Sequence, residues 1–151
     1  MVLKPNNTIE EYKLQDMPRL NVNTKRGALG KRGEDIAADY LVQNGFVILD
    51  RNFECKCGEI DIIAVNRDRN LLCFVEVKCR RSRSYGLPAQ SVVNKKQRHI
   101  RNSALVFLLG REKTLINTGL IDTDTDYRFD VVSLLIMNGI CTLEHIEGAF
   151  E

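Results

Sequence analysis

Three ionisable residues, Asp61, Glu76 and Lys78, stand where strands would be expected to bury aliphatic side chains. They belong to two apolar runs joined by the charged turn Arg67-Asp68-Arg69-Asn70. Alternate residues of a strand share a face. Glu59 and Asp61 therefore go with Ile63 and Val65, and Glu76 and Lys78 go with Leu72 and Phe74. On both strands this face is apolar near the turn and charged at the far end. An even-length turn sets Asn66 opposite Leu71, Asp61 opposite Glu76, and Glu59 opposite Lys78. Directly paired Cβ atoms lie about 4.5–5.5 Å apart. Two carboxylates at that distance repel, and burial raises the cost. A shared proton or a divalent cation would offset it. Carboxylate oxygens suit Mg²⁺, Ca²⁺ or Mn²⁺ rather than zinc. Lys78, about 6.5–7 Å along the same face, could hold a water or a phosphate oxygen beside such a metal. Phosphodiester hydrolysis uses these parts. Taken singly, each residue could instead be half of a strand-end ion pair.

The surrounding pattern supplies the elements that would position this hairpin. From Leu29 to Asn44 the spacing predicts a helix with Ile36, Ala37, Ala38, Tyr40, Leu41 and Val42 on its apolar face, and Gly45 as its stop. Glu34 falls on that apolar stripe. It reads either as a first-turn acid complementing the helix dipole or as an inward-facing functional residue. Strands are predicted at Phe46–Phe53, Glu59–Val65 and Leu71–Lys78. A second helix is expected from about Ala89 to Leu109, stopped by Gly110, followed by a poorly patterned polar segment. Phe129–Met137 reads as a strand covered on both faces. Asn138-Gly139 is a strong hairpin signal returning through Ile140–Ile146. The predicted order is α-β-β-β-α-β-β, an α/β domain with a mixed sheet flanked by helices. Residues 1–25 read as an extended or disordered tail, and residues 26–151 as the domain.

The 151 residues suffice for one domain, and 44% hydrophobic against 28% charged composition argues against wholesale disorder. No apolar run approaches the ~18 residues of a membrane span, and the polar start does not read as a secretory signal. A cytoplasmic protein, off the membrane, is expected. Five cysteines and no such signal argue against a disulfide framework, and the spacing of Cys55-Lys56-Cys57 is too short for a zinc knuckle. His99 and His145 have no sequence partner and read as packing residues. Asp122, Asp124 and Asp126 superficially suggest a calcium loop but lack its glycine and final glutamate. Between Lys78 and Arg111 there are nine Lys or Arg and no Asp or Glu. Such a block favours a polyanion, with Arg80, Arg81, Arg83, Lys95, Lys96, Arg98 and Arg101 as candidate phosphate contacts. A solvated helix face is the alternative.

Gly58-Glu59-Ile60-Asp61-Ile62-Ile63-Ala64, followed by Phe74-Val75-Glu76-Val77-Lys78-Cys79-Arg80, resembles the signature of the bacterial YraN family. That family is nuclease-like and is related to archaeal Holliday-junction resolvases and the PD-(D/E)XK superfamily. Gly30-Lys31-Arg32-Gly33-Glu34, Arg51-Asn52, Lys96-Gln97 and Arg128-Phe129-Asp130-Val131-Val132 extend the likeness from about Gly27 to Met137. The resemblance implies a restriction-endonuclease-like core. It implies that Asp61 and Glu76 bind Mg²⁺ or Mn²⁺ with the Val77 carbonyl, that Lys78 orients the attacking water, and that Glu34 completes the acidic cluster. Lys96 or Gln97 would be the auxiliary residue from the second helix. Many nucleases of this fold work as dimers, so a homodimer is a further expectation. Residues 1–25 lie outside the likeness, and 112–127 read as an insertion. The expected activity is metal-dependent endonucleolytic hydrolysis of DNA, ahead of RNA, with branched or distorted DNA as a candidate substrate. The alternatives are a nuclease fold that binds nucleic acid or a recombination partner without cutting, and an assembly role carried by the tail.

Overall fold

The computed structural model describes residues 7–13, 26–81 and 93–151, with side chains from Gly30 onward in the first helix. The elements are β1 (Asn7–Lys13), α1 (Arg26–Gln43), β2 (Val47–Cys55), β3 (Gly58–Asn66), β4 (Leu71–Arg80), α2 (Asn94–Asn117), β5 (Asp126–Met137) and β6 (Ile140–Phe150). The six strands form one mixed sheet in the order β1-β6-β5-β4-β3-β2. Only β4 and β5 run parallel; the other neighbours are antiparallel. A parallel pair needs a crossover, which α2 supplies. No helix among the described residues is long and apolar enough to cross a membrane.

Each helix covers one face of the sheet. Ile36, Ala37, Tyr40 and Leu41 of α1 pack with Ile62, Ala64, Cys73, Val75, Val132 and Leu134. Ile100, Ala104 and Phe107 of α2 pack with Ile60, Ile63, Leu72, Phe74 and Val131. The central strands bury both parities, as a sheet covered on two sides requires. Asp61, Glu76 and Lys78 share parity with Ile63 and Phe74, which places them toward α2.

Val42, expected on the apolar face of α1, is exposed, because it follows the buried Leu41 around the helix toward solvent. The predicted stop of α1 is present. Gly45 has φ +82°, its N–H donates to the Val42 carbonyl, and the Phe46 N–H donates to Leu41. These two bonds form a Schellman cap that a residue with a Cβ would strain. The Asn138-Gly139 hairpin is also present, with both residues at positive φ.

The second helix differs from expectation. It runs through Gly110 to Asn117, and the same two-bond cap is closed at Gly119. A glycine inside a helix costs about 1 kcal/mol, whereas burying Leu115 beyond it gains about 1.5–3 kcal/mol. The polar segment is likewise integrated. Ile121 is buried, and Asn70 in the β3–β4 turn bonds Thr125 and Asp122. Part of the expected tail, Asn7–Lys13, is a strand paired along β6. Its extended backbone supplies ladder bonds, while its side chains are mostly exposed. Residues 1–6 and 14–25 lie outside the described residues.

Candidate active site

The site forms where two strands part. The β3–β4 ladder has the predicted register, from Asn66↔Leu71 to Ile62↔Val75. It ends one pair before Asp61 and Glu76. Beyond it, β3 continues with β2 to the Cys55↔Gly58 pair, while β4 continues with β5 to Arg80↔Leu135. At the fork, Asp61 Oδ2 accepts the Val77 N–H at 2.7 Å. A side-chain oxygen thus satisfies the backbone donor, and both acids are left at the mouth of the opening.

Glu76 is 3% exposed. Its Oε1 is 2.7 Å from Lys78 Nζ. Its Oε2 is 3.4 Å from Lys96 Nζ as an ion pair, yet this buried oxygen has no hydrogen-bond partner among the described residues. Burial first, and then the Glu76 charge, push the Asp61 carboxyl up to about 7, against the Val77 N–H and the Lys96 ammonium. Burial works against the Lys96 charge, but Glu76, Glu59 and Asp61 outweigh it and hold the ammonium above the usual lysine range. Lys96 also lies 3.2 Å from Glu59. The sequence register set Glu59 opposite Lys78; where the strands diverge, Glu59 instead meets Lys96 from the first turn of α2.

Glu34 is placed from the other layer. Gly33 lets α1 approach the end of β4, because a Cβ there would lie 3.0 Å from Cys79 Cβ and 3.2 Å from Leu134. The Glu34 carboxylate is 3.9 Å from Arg51, which also holds Asp35 at 2.8 Å. Its charge still raises the Asp61 carboxyl, as the weakest of the five influences on it. Among the described residues no three His, Cys, Asp or Glu side chains converge as a ready ligand set. The structure therefore brings together Asp61, Glu76, Lys78 and Lys96, with Glu34 at the rim.

The basic residues are distributed around this opening. Arg80 ends β4 beyond Lys78 and Arg81 follows it, and Lys95, Lys96, Gln97 and Arg98 occupy the first turns of α2. Among the described residues that helix starts without a side-chain cap or an acid of its own in the first turn, so its dipole adds to the positive potential there. Arg101 turns away to donate to the Glu151 carbonyl. Arg83 lies outside the described residues.

Two features escaped the sequence reading. Glu59 anchors Lys96. His145, expected to lack a partner, is buried with Nε2 2.9 Å from Asp130 Oδ2. Arg128 and the Gly148 N–H also bond Asp130, and Arg128 joins Glu147, which holds Arg69. Burial pushes the Asp130 carboxyl up, but His145 and Arg128 outweigh it and hold it below the ordinary carboxylate range. The lone acid in an apolar strand was the available signal.

Residues 33–134 match the model of "Uncharacterised protein family UPF0102". A UPF0102 protein of Pelobacter propionicus is 41% identical over 138 residues, covering 91% of this chain and 92% of its own. One from Geobacter sulfurreducens is 44% identical over 82% of this chain and 88% of its own. One from Caldicellulosiruptor bescii is 41% identical over 81% and 96%. The matched span contains Glu34, Asp61, Glu76, Lys78 and Lys96, and this chain belongs to the UPF0102 family, the YraN family that its motifs resemble.

Proposed function

We propose that this chain is a divalent-metal-dependent endonuclease-like protein that hydrolyses DNA phosphodiester bonds. The observation carrying this reading is the buried Glu76 Oε2, which has no hydrogen-bond partner among the described residues, beside the half-buried Asp61 carboxyl raised to about 7. Native structures satisfy nearly all buried polar atoms, so a buried carboxylate oxygen that meets only the Lys96 ammonium at 3.4 Å supports a cation as its missing partner. The all-oxygen donor set fits Mg²⁺ or Mn²⁺, which Asp61 and Glu76 would hold with the Val77 carbonyl. When bound, such a cation lowers the pKa of a coordinated water and polarises a phosphoryl oxygen.

The chain's own groups do the rest. Lys78, pinned by Glu76, keeps its ammonium at the opening to orient water or a phosphate oxygen. Lys96 places a second positive charge across the opening, where charge develops on the phosphoryl group. Gln97 is the adjoining auxiliary polar group. Arg80, Arg81, Lys95, Arg98 and the α2 N-terminus attract the phosphate backbone to either side. Glu34 extends the acidic rim from α1. The family likeness points to branched or distorted DNA as the first substrate to try.

One observation favours a second reading, a binding module that does not cut. Lys78 and Lys96 both already pair with Glu76, so its charge is balanced without a metal. The deciding experiment incubates branched, flapped and linear DNA with Mg²⁺ or Mn²⁺ and either wild type or the Asp61→Ala, Glu76→Ala variant. The nuclease reading expects cleavage that the variant lowers on the order of 10²-fold or more. Equal activity in both would sink it. Salt-dependent binding that survives EDTA, with no cleavage, would favour the module.

A further inference from the structure

We propose that Cys55 and Cys57 form a dithiol that exchanges with small-molecule disulfides and so controls the position of Lys96. Its effect on activity rests on the nuclease reading; the thiol chemistry does not. Both cysteines lie at the β2–β3 turn, which packs directly on α2. A Cβ at Gly58 would lie 3.2 Å from His99 Cβ and 3.5 Å from Ser103 Oγ. Cys55 opens onto a cavity of about 190 Å³ that is also lined by Glu54, Gly58, Glu59, Lys96 and His99. That cavity is large enough to admit the end of a small disulfide, and it shares Lys96 and Glu59 with the candidate active site.

The surroundings of Cys55 favour a thiolate. Its Sγ is 3.4 Å from Ser103 Oγ. That hydroxyl, the backbone N–H groups of Cys57 and Gly58, and the Cys57 thiol together draw the Cys55 thiol below the usual range. Burial pushes Cys73, Cys79 and Cys141 the other way. One thiol of the five is thus set apart, with a second within reach to resolve it.

The exchange balances in two steps. The Cys55 thiolate attacks one sulfur of RSSR, forming a mixed disulfide and expelling RS⁻, which takes a proton from solvent. Cys57 gives its proton to solvent and attacks the Cys55 sulfur, forming the Cys55–Cys57 bond and expelling the second RS⁻. Two protein thiols are oxidised and one disulfide is reduced to two RSH. The new bond draws Cys55 away from Ser103 and tightens the turn that leads into Glu59. Lys96 now divides its ammonium between Glu59 at 3.2 Å and Glu76 at 3.4 Å, so a displaced Glu59 would leave it to Glu76, where it competes with a metal.

The test treats the reduced full-length chain with oxidised glutathione and follows it by peptide mass spectrometry. Wild type should form the Cys55–Cys57 disulfide, Cys57→Ser should stop at a glutathione adduct on Cys55, and Cys55→Ser should react about tenfold more slowly. First modification at another cysteine, or equal rates in the two variants, would overturn the proposal. Mn²⁺ calorimetry on the oxidised and reduced forms reads the coupling. Oxidation should weaken Mn²⁺ affinity about tenfold, reversibly on reduction. A disulfide that forms with Mn²⁺ affinity unchanged would overturn control of Lys96. If the disulfide forms and affinity shifts while neither form cuts DNA, the nuclease reading fails and this inference stands.

Discussion

Asp61 Oδ2 accepts the Val77 N–H at 2.7 Å, and at that bond β3 and β4 stop pairing. The carboxylate does two jobs. It satisfies the donor that the ladder abandons, and it holds a negative charge within the field of Glu76. Replacing Asp61 should therefore separate stability from metal binding. Asp61→Asn keeps an oxygen acceptor for Val77 and removes the repulsion. At pH 8 the metal-free variant should match or exceed wild type in thermal stability, by on the order of 1–3 kcal/mol. It should also lose stabilisation by Mn²⁺. Thermal denaturation with and without Mn²⁺ checks both, and a variant less stable than wild type without metal would count against the repulsion.

The half-buried Asp61 and the buried Asp130 give the metal-free chain opposite pH dependences. Asp61 is raised, from an ordinary value near 3.8 to about 7. The folded state then holds a proton that the unfolded state has released, so stability falls as pH rises from about 4 through about 7. Asp130 is lowered. Its contribution is present above the unfolded value and is lost as pH falls through its folded one. Urea denaturation from pH 3 to 8 should show Asp61→Asn flattening the upper decline and Asp130→Asn flattening the acid limb. A profile unchanged by either substitution would contradict these assignments.

Much of this site was legible from Asp61 to Lys78. Parity fixed the face, and the even turn fixed the register that the Ile62↔Val75 and Asn66↔Leu71 pairs show. Both are local properties of a hairpin. The opening of the ladder at Asp61 was not legible, because it depends on β5 holding β4 while β2 holds β3. Glu34 illustrates the same limit. Its helical stripe showed that it faces inward, but not that Arg51 would meet it from β2. Gly45 and Gly110 look alike in sequence, and only tertiary burial of Leu115 decides that the second does not end its helix. The β1 strand carries no clear alternation because backbone bonds to β6 hold it.

Lys96 and Lys78 should differ on removal. Lys96 bridges Glu59 and Glu76, whereas Lys78 touches Glu76 alone among the ion pairs described. Lys96→Met deprives Glu76 Oε2 of its nearest cation and leaves Glu59 unpaired. It should cost about 1–2 kcal/mol without metal, discounted for the exposure of Glu59. Lys78→Met should cost less in stability and more in cleavage, on the order of 10²-fold in kcat. Urea melts alongside single-turnover cleavage test the split; the reverse ranking would reassign the two lysines.

Gly58 should tolerate no side chain. Its φ is +144°, and a Cβ would meet His99 on α2 at 3.2 Å. Gly58→Ala should destabilise the chain by about 1–3 kcal/mol through strain and through the displaced turn. Equilibrium urea unfolding measures it, and a change within about 0.5 kcal/mol would mean that the turn and helix are not in firm contact.

The most direct measurement is a crystal structure grown with Mn²⁺ and read by anomalous scattering. The expected result is a manganese peak between Asp61 and Glu76, with carboxylate oxygens at about 2.0–2.3 Å, Lys96 shifted off Glu76 Oε2, and no peak in Asp61→Ala, Glu76→Ala crystals. Full-occupancy Lys96 on Glu76 with no manganese between the two acids would contradict the metal site on which the proposed chemistry depends.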